Sequence, residues 1–553
     1  AYYFKGKVLC KYLITSSFDT DRDKKELFRN IDEDKYYPIY GDASQIDYQA
    51  TDTQGNLYLL IEWDKSSALW GNYEVGFGDT EYANFSRTLY GGKVNFETVS
   101  TTPYGDARTK VVAFRARAQQ KSAHVEYLAT GGSVYYTKHK DVIEGSDKIK
   151  VEVRDKVTGL IVAEREMVEG ADYEMDYEDG RILFWQTIPM LIETYSIISS
   201  SLLDGNLVYV IMDYEYDVKD KFDQATTGAR VRQALSDEVL VGATFVREGR
   251  EFEDYTLKGT DVKVQLGPDA KIVAEYAETE SEVQGTFVST DGGLTFTELA
   301  TAGSAQGEAY GIKGDARFFN RLGLTGYYKW VDNDFSSAAT TAQQGKELYG
   351  AQGIFDVAEK TRVTARYDVQ ELIDDGNLQT QIQVGDQKTA TTLVQMVHEM
   401  RKIRLTAEYR RQEKTTVVDE ELVAARIDYR LHDRLAVYAE TQRAIVGAGL
   451  NATTLGLQAK PWERMTVTIE QTIGDQDTAT RFAGRFDVTE RLSLVGEYSL
   501  LRNAAGQDTG SGSVGAVARV LPGVEIRTSL GLTPDGRTTP SLDVTGVGSF
   551  DIA

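Results

Sequence analysis

The sequence predicts an all-β fold: a large antiparallel up-and-down transmembrane β-barrel of about 22–26 strands with an inserted small β-sandwich module. Three observations lead to this prediction. Segments of roughly ten residues alternate between apolar and polar side chains, tight and long connections follow each other in turn, and the composition suits a sheet. The chain of 553 residues contains 32 Tyr and 50 Gly but only 8 Pro. Scarce Pro is expected in central strands, because Pro cannot donate a hydrogen bond to the ladder.

The alternation is clearest in the second half of the chain. In residues 423–431 the odd positions carry Val, Ala, Ile, Tyr and Leu, whereas the even positions include Arg426 and Asp428. Residues 403–410 and 481–488 follow the same rule. Because successive side chains of a strand point to opposite faces, each segment has an apolar and a polar face. A strand that spans a bilayer next to a water-filled interior needs this arrangement.

From about residue 205 onward, every other connection is tight. Several tight connections share a polar residue, an Arg and then an apolar residue, as in Asn320-Arg321-Leu322 and Asp433-Arg434-Leu435. The intervening connections, such as 281–304 and 374–388, are longer and rich in Gly, Ser, Thr, Asp and Gln. Short turns at one end and long loops at the other are typical of a membrane meander. The nine tight connections are 236–238, 267–270, 320–322, 358–361, 401–402, 432–434, 462–464, 489–491 and 522–523.

Three regions are predicted along the chain. Residues 1–120 hold the first barrel strands and long loops, residues 121–204 an inserted β-sandwich-like module, and residues 205–553 the main run of barrel strands. The main run is expected to begin with a strand at 207–216. In the middle region the candidate strands are shorter and more charged, and glycines separate them at turn positions. A long ordered loop made of hairpins is the alternative interpretation of that region.

Composition excludes two classes of protein. The net charge of −24 argues against a general nucleic-acid binder, which needs basic faces to neutralise phosphate, so no nucleic-acid partner is expected. No run of about 18 apolar residues is present, so no membrane-spanning helix is predicted. The low mean hydropathy of −0.37 remains compatible with a barrel, because only alternate residues of its strands face lipid.

The polar face of the predicted barrel strands carries charges of both signs. Rows from neighbouring strands are expected to interleave around the lumen. They either orient an anionic or zwitterionic solute in a pore, or hold a wet interior together as salt-bridge ladders. No ring of a single sign stands out, so the ladder interpretation is at least as well supported. The candidate lumen-lining residues are Arg362, Arg366, Arg404, Glu408, Arg410, Arg426, Asp428, Arg430, Glu440, Glu470, Arg481, Arg485 and Glu497.

The sequence contains no complete catalytic or metal-binding motif among those considered. Asp19, Asp21 and Asp23 alternate as in a calcium loop, but the Gly and the final Glu of an EF-hand are absent, so a solvated acidic loop is preferred. The four His residues lack metal-ligand spacing, and Cys10, the only cysteine, is expected to pack in the first strand. No cofactor is therefore expected. No Gly-x-Ser-x-Gly elbow and no nucleophile with a partnered base is found, which argues against an enzyme.

Seven segments of the first 220 residues carry more specific motifs: 5–15, 37–42, 63–73, 130–136, 151–155, 172–177 and 180–183. Together they resemble a family of large, poorly characterised proteobacterial outer-membrane proteins, which often carry repetitive or immunoglobulin-like domains before the barrel. The resemblance implies an outer-membrane location in a Gram-negative bacterium and brings no catalytic or binding residues. One departure is the ending Phe550-Asp-Ile-Ala553, because such barrels usually end on an aromatic residue. It leads us to expect further protein beyond this region, or an atypical terminus.

These observations predict a transport or translocation barrel that passes a solute or a polymer. A lumen of more than about twenty strands is too wide for its own side chains to fill, so a plug is expected, either the inserted module or a separate chain. The expected partners are the outer-membrane bilayer with its lipopolysaccharide and a plug, periplasmic or surface protein. Two alternatives are a structural anchor of a surface or periplasmic assembly, and the barrel sheath of an electron or secretion conduit.

Overall fold

The computed structural model describes most of the chain. The described residues are 2–18, 56–118, 120–130, 132–143, 145–154, 161–185, 188, 191–192, 196–198, 206–217, 224–249, 254–282, 286–299, 304–337, 343–373, 388–415, 418–447, 449–475, 477–489, 492–502, 508–521, 524–532 and 538–546.

Six antiparallel strands begin the main sheet, and each pairs with the strand before it. Cys10, expected to pack inside the first strand, lies instead in the turn after it, with a φ of 54°, and is exposed. The six strands are β1 (Tyr2–Val8), β2 (Tyr12–Phe18), β3 (Leu57–Trp63), β4 (Ser66–Gly76), β5 (Ser86–Glu97) and β6 (Thr109–Ala118).

The chain then leaves the main sheet and forms a module of two smaller sheets. Its strands are β7 (Gln120–Leu128), β8 (Val134–Tyr136), β9 (Lys148–Arg154), β10 (Ile161–Met167), β11 (Tyr173–Asp176), β12 (Arg181–Phe184), β13 (Leu191–Ile192) and β14 (Asn206–Asp217). The larger sheet has the order β10-β9-β14-β7, with β13 beside β14, and the smaller sheet has the order β11-β12-β8. A core that includes Val125, Tyr127, Phe184 and Met212 is buried within the module.

The main sheet resumes with a strand that pairs directly with β6, and it then follows chain order. The strands are β15 (Gln224–Ala234), β16 (Val239–Glu248), β17 (Tyr255–Gly267), β18 (Ala270–Glu282), β19 (Thr286–Ser289), β20 (Thr297–Leu299), β21 (Ser304–Phe318), β22 (Leu322–Val331), β23 (Lys346–Ala358), β24 (Thr361–Leu372), β25 (Lys388–Glu399), β26 (Ile403–Lys414), β27 (Glu420–His432), β28 (Leu435–Val446), β29 (Ala452–Ala459), β30 (Met465–Gly474), β31 (Thr478–Thr489), β32 (Leu492–Arg502), β33 (Asp508–Leu521), β34 (Val524–Leu532) and β35 (Thr538–Gly546). Among the described residues of this run, β19 and β20 lie outside the main sheet, which contains 25 described strands. The predicted all-β fold with a large antiparallel meander is confirmed.

Most of the predicted tight connections are hairpin turns. Residues 433–434, for example, join β27 to β28, and His432 pairs with Leu435 across that turn. Residues 490–491 and 522–523 lie outside the described residues, although the strands that flank them pair with each other. Because a short turn forces adjacent strands to pair antiparallel, the alternation of tight and long connections sets the meander.

Two segments differ from the prediction: one lies in another sheet, and the other forms strands where a loop was expected. Residues 207–216, expected as the first strand of the main run, belong to β14 and pair with β7 and β9 in the module. Within residues 281–304, expected as a plain loop, β19 runs parallel to β7 and β20 follows it. A period of two predicts that one face of a strand is buried, but it does not specify against which sheet.

The two faces of the main sheet differ in chemistry. On β27, Val423, Ile427 and Tyr429 are 37%, 45% and 39% exposed, whereas Leu422 and Ala424 on the opposite side are buried. We call the first side the outer face and the second the inner face. The alternation predicted for residues 423–431 is therefore present. Further exposed apolar residues on the outer face are Val231, Phe245, Val262, Tyr276, Tyr310, Ile312, Leu324, Phe355, Tyr367, Val394, Met396, Leu405, Leu455, Ile469, Phe482 and Tyr498.

Candidate functional site

The inner face of β27 and β28 carries a connected row of charges. The Arg426 guanidinium bonds Asp428 Oδ1 through Nη2 at 2.9 Å and reaches Glu440 Oε2 from Nη1 at 3.4 Å. It also lies over the ring of Tyr438, with Cζ 3.8 Å from the ring centroid. The side chains of Arg426 and Glu440 remain 25% and 15% exposed, so the row is only half-buried.

The same row continues across β30 and β31. The Tyr438 hydroxyl donates to Glu470 Oε1 at 2.7 Å, and Arg481 Nη1 lies 3.6 Å from Glu470 Oε2. Five of the residues singled out from the sequence, Arg426, Asp428, Glu440, Glu470 and Arg481, therefore meet in one network. Tyr438 connects the two halves of the network and was missed, because an aromatic residue in a strand has no special pattern.

The other predicted lumen residues are spread along the sheet. Arg366 pairs with Asp368, whose Oδ1 also accepts the Tyr327 hydroxyl at 2.6 Å. Arg362 bonds Asp356 at 2.7 Å, and Arg404 lies 3.9 Å from Glu399; both arginines are exposed, as is Arg430. Arg485 and Glu497 lie in β31 and β32, but their side chains are outside the described part, as are Asp19, Asp21 and Asp23. We call the inner-face residues Arg366, Asp368, Arg426, Asp428, Glu440, Glu470 and Arg481 the polar wall.

Glu408 and Arg410 on β26 hold a segment that precedes β14. The Ile197 N–H donates to Glu408 Oε2 at 2.9 Å, and Ser196 Oγ donates to Glu408 Oε1. Arg410 Nη1 lies 3.4 Å from the Ile198 carbonyl oxygen. Ile198 is buried against Leu422 and Ala424 of β27. We call the contact of Glu408 and Arg410 with residues 196–198 the clasp.

A second attachment of the module lies on β5 and β16. Arg87 Nε donates to Glu215 Oε1 at 2.8 Å, and its Nη1 bonds Glu248 Oε1. The Thr88 N–H donates to the same Glu215 oxygen at 3.0 Å. All three charged side chains are at least nine-tenths buried. We call Arg87, Glu215 and Glu248 the anchor, and no local sequence pattern predicted it.

The chain segment between β6 and β15 thus contacts the inner face of the main sheet at two places. The anchor joins β14 to β5 and β16, whereas the clasp joins residues 196–198 to β26. Along the ladder β26 lies eight strands beyond β16. The two contacts of this chain segment with the inner face are therefore eight strands apart.

The connection between β4 and β5 also folds over the inner face. The N–H groups of Glu81 and Tyr82 donate to Glu275 Oε2 on β18 at 2.8 and 3.2 Å, and Lys329 on β22 lies 2.6 Å from Glu81. Tyr82 is buried edge-on against Phe335. Apolar inner-face residues lie beneath this connection, and we call them the apolar wall: Val246, Leu257, Ala277, Ala309 and Val331.

The face of the module that carries Glu215 is charged. His124 Nδ1 lies 2.7 Å from Asp213, and Glu126 bonds Arg154 Nη1 at 2.7 Å. Burial lowers the pKa of His124, but Asp213 and Glu126 outweigh it and raise that pKa to about 10. Burial likewise raises the pKa of Glu126, and the hydrogen bonds from His124 and Arg154 outweigh it and lower that pKa to about 2. These groups are therefore charged at neutral pH.

The described residues contain neither of two other kinds of site. Within them, no group of three or more His, Cys, Asp and Glu side chains is placed to hold a metal ion. In the same part of the chain, no helix is long and apolar enough to cross a membrane.

Comparisons with known proteins find distant structural likenesses. No family model and no curated relative matches the chain. The P pilus usher (PapC) translocation pore aligns at a TM-score of 0.37 and 10% identity, over 89% of this chain and 85% of that one. The E. coli P pilus tip assembly intermediate PapC-PapD-PapK-PapG aligns at a TM-score of 0.39 and 11% identity, over 92% of this chain and 66% of that one. The ferric-catecholate import receptor Fiu from E. coli K12 aligns at a TM-score of 0.30 and 8% identity, over 89% of this chain and 85% of that one. Likenesses at this level establish no family, substrate or partner, and the resemblance to the proteobacterial family stays a prediction.

Proposed function

We propose that the chain is an outer-membrane β-barrel of a Gram-negative bacterium that forms a transport or translocation conduit, with the inserted module as its plug. The observation that carries the proposal is the opposite chemistry of the two faces of the main sheet. A continuous exposed apolar face is unfavourable in water and favourable against lipid acyl chains. In lipid the sheet must close, because unpaired edge groups would be costly there. In this proposal the chain has no catalytic step.

The inner face supports a passage rather than a solid core. Most charges of the polar wall stay partly exposed, whereas the β4–β5 connection covers the apolar wall. A barrel of this many strands is too wide to be filled by its own side chains. The passage would therefore run between the module and the polar wall, and it would open when the module moves.

The test is conductance across planar bilayers that contain the purified full chain. We expect rare, small openings for the unaltered protein and large, frequent openings for a variant in which residues 120–217 are replaced by a short Gly-Ser linker. The β-signal in circular dichroism would show that the variant still folds. A folded variant that conducts no better than the unaltered protein would contradict the conduit.

The second candidate is a plugged structural anchor for a surface or periplasmic assembly. The attachment of the module on both sides of the inner face favours it, because a plug held at two places needs no opening. Liposome swelling separates the two candidates. An anchor excludes small sugars under all conditions, including mild denaturant that loosens the module, whereas a conduit then admits them.

A further inference from the structure

We infer that the plug is released from one side only: the clasp opens, while the anchor keeps the module attached to β5 and β16. This inference rests on the proposed conduit and adds how it is regulated. Glu408 and Arg410 then act as positioning residues that hold the module across the passage.

The module is built to move as one body. The described residues of its buried core all lie in the module itself or in β19, and none of them belongs to the main sheet. Its contacts with β4 and β5 are polar: besides the anchor, Lys148 bonds Glu74 and Ser86. These contacts lie on the side that stays attached, and the module can keep its own fold when its contact with β26 opens, because no shared apolar core is divided.

The two attachments are unequal. At the anchor, one guanidinium joins two buried carboxylates, and β6 and β15, the strands that precede and follow the module, pair with each other beside it. At the clasp, the described contacts involve a stretch of three residues, and Glu408 alone accepts two of their donors. Loss of a single carboxylate therefore removes most of the polar part of the clasp.

Glu408 contacts both the segment at 196–198 and the neighbouring strand of the main sheet. The Gln395 side chain on β25 donates from Nε2 to Glu408 Oε2 at 2.9 Å. The main sheet itself therefore holds the Glu408 carboxylate in position. Ile198 adds an apolar contact with Leu422 and Ala424 that needs no charge. The binding surface on β26 and β27 is thus formed by the main sheet, and the segment at 196–198 is the part that leaves.

A disulfide tests this directly in the full chain carrying Cys10→Ser. Ser196→Cys with Glu408→Cys places two thiols where a side-chain hydrogen bond exists now. We expect the oxidised protein to stay closed in planar bilayers and the reduced protein to open at least about tenfold more often, because two hydrogen bonds to a charged group are lost. Glu408→Ala should match the reduced form. A reduced form as closed as the oxidised one would overturn the clasp.

The matched control is Glu413→Gln on the same strand, which removes a carboxylate that pairs with Arg411 at 2.7 Å. It should leave the opening frequency unchanged, and an increase equal to that of Glu408→Ala would contradict a specific clasp. Failure of the inference and failure of the conduit are distinguishable. If the variant without residues 120–217 conducts but Glu408→Ala does not, the clasp is wrong; if neither conducts, the conduit is wrong.

Discussion

Two clusters of side chains on the inner face of the same sheet differ in chemistry. The apolar wall, on β16–β18, β21 and β22, is fully buried: Leu257, Ala309 and Val331 have no exposed surface. The polar wall begins on β24 and keeps Arg426 and Glu440 partly exposed and paired. Both walls belong to strands of similar length with the same alternation, so secondary structure does not explain the difference.

The difference follows from what covers each wall. The β4–β5 connection lies over the apolar wall and supplies Tyr82, and residues 332–337 supply Phe335. Apolar side chains are stable there because water is excluded. Among the described residues, the polar wall meets no comparable apolar layer, and charges in mutual contact tolerate the remaining water. One part of the main sheet is thus a packed support, and in the proposed conduit the other part faces the passage.

The largest expected effect is at the anchor, beside the apolar wall. Arg87→Ala removes the cation shared by Glu215 and Glu248, which are both buried. Breaking a buried ion pair by removing one partner costs about 3–5 kcal/mol. Chemical denaturation of the protein in lipid vesicles measures it. Arg362→Ala, at an exposed pair with Asp356, is the control and should cost at most about 1 kcal/mol. Equal costs would show that the anchor is hydrated.

The next effect tests the apolar wall itself. Leu257→Ala leaves a cavity in a buried cluster and should cost about 2–5 kcal/mol in the free energy of unfolding. Lys258→Ala, at the next position of β17 with an exposed side chain, should change it by no more than about 0.5 kcal/mol. The same denaturation experiment measures both. If Leu257→Ala were as mild as its neighbour, the wall would not be packed.

From the sequence, the apolar and polar faces of single strands could be predicted, but the apolar wall and the polar wall could not. Alternation and turn spacing identified the strands, and the polar side of β27 was assigned correctly, because both depend on neighbouring residues. The anchor joins Arg87 to Glu215 and the clasp joins Ile197 to Glu408, 128 and 211 positions apart. Such pairings depend on how distant segments pack, and one sequence carries no local pattern for them. The placement of β14 in the module was missed for the same reason.

A smaller change in stability is expected for a substitution on the outer face, which contains neither wall. Ile427 lies near the middle of β27 and is 45% exposed on the outer face. If that face contacts acyl chains, Ile427→Arg should cost about 2–4 kcal/mol in vesicles, the typical cost of Arg at the bilayer midplane. Asp428→Asn on the inner face, where Asp428 is 31% exposed, should cost at most about 1 kcal/mol. A tolerated Ile427→Arg would mean that water, not lipid, covers the outer face.

The smallest effect on stability, and the sharpest on passage, is expected at the polar wall. Arg426→Gln removes one positive charge from the row of Asp428, Glu440 and Glu470, so an opened barrel should become more selective for cations. The reversal potential in a salt gradient, measured in the Glu408→Ala background, reports this shift. Stability should fall by no more than about 1 kcal/mol, since the pair is half-exposed. The swap Arg426→Glu with Glu440→Arg keeps the total charge and should restore the original reversal potential. If the reversal potential of Arg426→Gln were unchanged, the ions would pass elsewhere than along the polar wall. The difference between the two walls would then have no role in passage.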